Sequence, residues 1–194
     1  MCVGVSVDLA SIFDAVENSV LTSTTPMEAW SLIVAIVDAT GYAVPKVLRE
    51  YDITPLVAGL AQRLQSVAIA EPPPPGLTFY HLGLFDTGDP STATETVGVY
   101  LAAGTGDPTQ SLSRGELAYR PRGAVLESGF LNTIRAAALD LGAARNVFEY
   151  GLLLGAAAVL ARFAIEAKEG VGAVTVGFDG GDYMVLHRDR DALI

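Results

Sequence analysis

Four consecutive prolines, Pro72 to Pro75, stand between Glu71 and Gly76 and divide this chain of 194 residues into two parts of different character. Proline lacks the amide donor and locks its φ, so the run fits neither a helix interior nor a central strand. It predicts a stiff spacer over residues 72–76, with a helical unit over 1–71 and a sheet-containing unit over 77–194. The other use of such a run, as a ligand for an aromatic groove, is outweighed by that structural role.

The helical unit reads as about four helices with clear punctuation. Leu9, Ile12, Phe13, Val16 and Val20 recur at helical spacing behind Asp8, a predicted N-cap. Thr25-Pro26-Met27-Glu28 combines a capping box with proline at the first helical position. The helix it opens carries Met27, Trp30, Ile33, Val34 and Val37, is apolar on nearly all sides, and is expected to be largely buried before stopping at Gly41. A short helix follows Pro45. Thr54-Pro55 repeats the cap-plus-proline device ahead of the stripe Leu56, Val57, Leu60, Leu64 and Val67.

Beyond the prolines the pattern turns to strand. Residues 77–85 and 96–103 are strand-like, residues 116–120 form a weaker third candidate, and 171–178 with 183–187 make a hairpin around Asp179-Gly180-Gly181-Asp182. Two helices, from Ser128 to a break near Gly142 and onward to Glu169, lie between the strand pairs. The predicted class is therefore α+β: a mostly antiparallel sheet of four to five strands with two inserted helices, with one compact domain overall as the alternative to two units. The strands are apolar at both parities, so both faces require cover, from the N-terminal helices or from a partner subunit.

Charge narrows the function classes. Twenty-two acids against twelve bases leave a net charge of −10, and the densest basic spot, Arg114, Arg120 and Arg122, has Glu116 within it. Nucleic acid is excluded as a partner on that field. Only 18% of residues are charged while 51% are hydrophobic, so disorder is excluded and apolar surface must be hidden. The most apolar run, residues 147–165, contains Glu149 and Arg162 and reads as a buried helix rather than a membrane span. Its Gly151 and Gly155 then serve close helix packing. Cys2 is the single cysteine, with no evident partner, and the N-terminal residues lack the features of a secretory leader. A cytoplasmic protein is the expectation.

Candidate chemistry is sparse. Two similar loops, at residues 87–92 and 105–110, each hold Gly-Asp-Pro. Paired aspartates suit a divalent cation, but successive antiparallel connections fall at opposite ends of a sheet, so Asp89 and Asp107 read as turn residues. Asp179 and Asp182 read likewise. His81 and His187 are the only histidines and lie in predicted strands. Were those strands neighbours in register, the imidazoles would form half of a metal site. No metal site is assigned; His81, His187, Asp86 and Asp89 come nearest to one, and no cofactor is implied. His187-Arg188-Asp189 spells the opening of a kinase catalytic loop, but Ile194 stands where that loop needs asparagine, and no glycine-rich phosphate loop accompanies it.

Two functions remain. The first is non-enzymatic: protein–protein contacts, through self-association or a basic partner surface, with membrane association not expected. The alternative is an enzyme or small-ligand or metal binder whose site lies between the helical unit and the sheet, near His81 and Asp86.

Overall fold

In the computed structural model the chain is described over residues 8–86, 96–114, 116–122, 126–165, 172–179 and 182–187. Cys2, Asp89, Gly180 and Gly181 lie outside these residues. Helices α1 (Leu9–Thr22), α2 (Pro26–Ala39), α3 (Lys46–Arg49) and α4 (Thr54–Ala70) come first. Asp8 accepts the Ala10 amide hydrogen at 3.1 Å and so caps α1. Thr25 caps α2 by accepting from the Glu28 amide at 3.1 Å. The returning carboxylate arm reaches one residue further than a standard capping box, to Thr24 N–H at 2.7 Å. Gly41, with φ of 89°, ends α2. At α4 the expected device differs: Ile53 is the N-cap, Thr54 is the first helical residue, and its amide donates to Asp52 at 3.0 Å. Helix α2 buries one face, not all sides, and Leu32 is 42% exposed.

The strands β1 (Phe79–Asp86), β2 (Val97–Gly104), β3 (Leu126–Glu127), β4 (Ala173–Phe178) and β5 (Tyr183–His187) form one sheet in the order β3-β2-β1-β4-β5. Its pairings are antiparallel except for β1 with β4, which run parallel in the register Leu82↔Val176 and Leu84↔Phe178. The class is α+β, as the sequence pattern predicts. Two local expectations change. The second Gly-Asp-Pro loop opens a helix, α5 (Pro108–Arg114), because Asp107 accepts the Thr109 amide at 2.8 Å and caps it. Residues 116–120 supply only an isolated bridge, Tyr119 to Ala103, and the edge strand beside β2 is β3 instead.

After β3 come α6 (Gly129–Leu139), a 3-10 turn (Gly142–Ala144) and α7 (Arg145–Phe148). A π-helical turn (Glu149–Leu153) and α8 (Leu154–Ile165) continue α7 as one helix of 21 residues. By length and composition this helix is able to cross a membrane, yet 78% of its most apolar window is buried within the protein. It is the central layer. Its apolar residues pack on Leu82, Leu84, Val174, Val176 and Met184 of the sheet, and α1, α2 and α4 stack on its other side. Glycine makes this approach possible: a Cβ on Gly151 would lie 2.4 Å from Val37 Cγ2, and one on Gly155 would lie 3.0 Å from Ile33 Cγ2.

The N-terminal helices therefore do not cover the second face of the sheet, which sets aside the first of the two covers expected for it. That face is built of small residues roofed by large ones. The Tyr100 ring occupies the space a Cβ on Gly83 would need, and Phe79 does the same at Gly104. Arg120 lies over the Tyr100 ring, with its guanidinium carbon 4.4 Å from the centroid.

Candidate functional site

Parallel pairing brings the carboxyl ends of β1 and β4 side by side, and ligands of mixed sheets gather at such strand ends. Asp86 ends β1. Asp179 follows β4 and is tied to β1 by its amide, which donates to Leu84 O at 2.8 Å. Above these ends α6, α7 and the π-helical turn leave a cleft of about 540 Å³, with Leu84, Val97, Leu153 and Phe178 among its apolar walls. Its polar lining is Asp86, Arg135, Arg145, Glu149, Tyr150 and Asp179.

Arg135 is the centre of this lining. Its side chain is only 7% exposed, so its charge must be met by nearby carboxylates. It donates to Asp86 Oδ1 at 2.9 Å and to Glu149, which also accepts from Arg145 Nε at 2.6 Å. The two acids differ: Glu149 is largely buried, whereas the Asp86 side chain is 65% exposed. The π-helical turn inserts an extra residue per turn, so Glu149 and Tyr150 line the cleft while Gly151 faces α2. Tyr150 donates to Asp182 at 2.8 Å and packs edge-on against Phe178. That hydrogen bond, with burial, holds its hydroxyl above the usual tyrosine range.

A second polar group lies on the opposite face of the sheet and touches the cleft through Asp179 and through Phe85, whose ring packs on Tyr100. Tyr100 donates to Asp179 at 3.2 Å. Burial, reinforced by the Asp179 charge, pushes the Tyr100 hydroxyl up to about 12. His81 is buried beside it, its Nδ1 2.9 Å from Thr175 Oγ1. Thr175 donates its own proton to Tyr80 O at 3.3 Å, which leaves Nδ1 as the donor to Thr175 Oγ1. Burial lowers the His81 pKa to about 4, with Asp179 opposing and Arg120 assisting that shift.

The sign of this shift sets a pH dependence. Between about 4 and the ordinary value of 6.5 the unfolded chain binds a proton that the folded chain excludes, so stability falls as pH falls through that window. The loss attributable to His81 from pH 7.5 to pH 4 is expected to be about 3 kcal/mol. Urea unfolding of the protein and of His81→Gln at both pH values measures it. Equal pH dependence in the two proteins would remove the assignment.

Of the residues singled out in the sequence, the structure places Asp86 in the cleft and His81 on the other side of the sheet. The histidines do not meet. His187 pairs with Ala173 and His81 with Thr175, so all of β4 stands between their strands. Asp107 lies past the far end of β2, away from Asp86, as antiparallel alternation predicts. Among the described residues no group of three or more His, Cys, Asp or Glu side chains is arranged to hold a metal ion. Arg135, Arg145, Glu149 and Tyr150 were not singled out. Their signal was present in two of them: Arg135 interrupts the apolar stripe of α6, and Glu149 interrupts the most apolar run of the chain. Compared with protein-family models, with curated proteins and with solved structures, the chain shows no match.

Proposed function

We propose that this chain binds a small polar molecule in the cleft at the ends of β1 and β4. One observation carries the reading: a buried guanidinium, Arg135, opens into a roomy cleft where a carboxylate that meets it, Asp86, is largely exposed and replaceable. A purely structural ion pair in a packed interior needs no adjoining space of this size, and small-molecule sites have volumes in this range. A thermal-shift panel of amino acids, carboxylates, amines, sugars and phosphate esters tests it. A ligand present at about one hundred times its Kd raises Tm by roughly 5–10 °C in a chain of this length. The shift is expected to vanish in Asp86→Lys, whose ammonium fills the mouth. A flat panel, or a shift unchanged in that variant, overturns the reading.

Contacts with another protein are a second reading, which the outer surface of the helical unit favours. The large apolar side chains exposed among the described residues, Leu21, Leu32, Val47 and Ile69, all lie on α1 to α4. Residues 8–71 hold eight acids and three bases, which suits a basic partner surface. Size-exclusion with light scattering checks it: a monodisperse monomer with no co-purifying protein counts against it.

A further inference from the structure

We infer that the molecule the cleft takes is a zwitterion of the amino-acid type, with a carboxylate and an ammonium a few bonds apart and an apolar side chain. This rests on the cleft being a ligand site and specifies its chemistry from the arrangement of charges. The lining holds two cations, Arg135 and Arg145, and three anions, Asp86, Glu149 and Asp179. They are not evenly mixed. The two arginines share Glu149 on the helix side, while Asp86 and Asp179 stand at the adjacent ends of β1 and β4.

A simple anion entering this space would take the place of Asp86 on Arg135. It would then face Asp86 and Asp179, two carboxylates of its own sign. A simple cation would be held by Asp86 and Asp179 but would face the two guanidinium groups. A molecule carrying both charges resolves the conflict. Its carboxylate accepts from Arg135 in the position Asp86 Oδ1 now holds, at 2.9 Å from the guanidinium. Its ammonium then lies between the released Asp86 and Asp179, whose Oδ1 already accepts from Tyr100. Asp86 acts as a placeholder: it satisfies the buried guanidinium when the cleft is empty and becomes an ammonium partner when it is filled. The remaining space is bounded by Leu84, Leu153 and Phe178, which suits an aliphatic or aromatic side chain.

Isothermal titration with three probes of one shape tests this: L-phenylalanine, hydrocinnamate, which lacks the ammonium, and phenethylamine, which lacks the carboxylate. L-phenylalanine is expected to bind about ten-fold or more tightly than either fragment, since each fragment loses one charge-assisted contact. Asp86→Asn is expected to reverse part of that order, because hydrocinnamate gains an uncontested Arg135 while phenethylamine loses a partner. Asp179→Asn keeps an acceptor for Tyr100 and is expected to weaken L-phenylalanine and phenethylamine alone. Hydrocinnamate binding as well as L-phenylalanine, or an order unchanged in both variants, overturns the inference. So does the failure of all three to bind. If the wider thermal-shift panel still finds a compound that depends on Asp86, the cleft remains a ligand site and only its zwitterion chemistry falls.

Discussion

Glu149→Ala is expected to destabilise the protein by about 3 kcal/mol, because it takes from a buried guanidinium the more buried of the carboxylates that meet it. Glu149 accepts from both Arg135 and Arg145, and the Arg135 side chain is 7% exposed. Removing the acid keeps the cost of desolvating Arg135 and discards most of what offsets it. Asp86 meets Arg135 directly, but its side chain is 65% exposed at the rim, so solvent screens the pair and it compensates weakly. The double change Arg135→Met with Glu149→Leu removes both charges from the interior, and is expected to lie within about 1 kcal/mol of the parent. Urea unfolding of the set measures this through the midpoint, at constant m-value. A loss below about 1 kcal/mol in Glu149→Ala would mean that solvent reaches Arg135 freely. The same set separates stability from binding: a double variant that folds normally but takes up no ligand assigns the charged pair to recognition.

Trp30→Ala is expected to cost about 4 kcal/mol, lowering Tm by roughly 10 °C in a chain of this length. Trp30 is fully buried on α2, and its Nε1 donates to Leu48 O at 2.9 Å. Its ring meets Phe130 of α6 edge-on at 5.2 Å, and Tyr51 stacks on the other side of that ring at 3.8 Å. Truncation therefore opens a large cavity, takes one donor from the Leu48 carbonyl, which the Tyr51 amide still meets at 3.4 Å, and loosens the contact between the helical unit and the first helix beyond β3. Trp30→Phe retains much of the volume and loses the hydrogen bond, so it is expected to fall between the two. Thermal unfolding of all three proteins orders them. A Trp30→Ala loss below about 1 kcal/mol would show that the two units are only loosely joined.

The contrast between these two sites shows where sequence reading succeeds. Trp30 sits in a helix announced by Thr25, Pro26 and Glu28, and its burial follows from the spacing of Ile33, Val34 and Val37. Glu149 lies in a run so apolar that the charge reads first as an interruption. Its partner Arg135 is 14 residues away and Asp86 lies a further 49 from Arg135. No periodicity connects three such positions. The histidines make the same point in reverse: His81 and His187 look like a pair in the sequence, and β4 keeps their strands apart.

The local elements are legible from residue types along the chain. The caps at Asp8 and Thr25, the stop at Gly41, the proline break, the hairpin strands and the α+β class all arise from interactions within a turn or two of chain, where residue type controls backbone conformation directly. Long-range packing sets the rest: β1 and β4 pair in parallel, the 21-residue helix is the central layer, and Asp86, Arg135, Glu149 and Asp179 converge on one cleft. The physical reason is that strand order and side-chain convergence are set by how all apolar faces are buried at once. That is a property of the whole packed chain, and hardly any of it is written at the positions that meet.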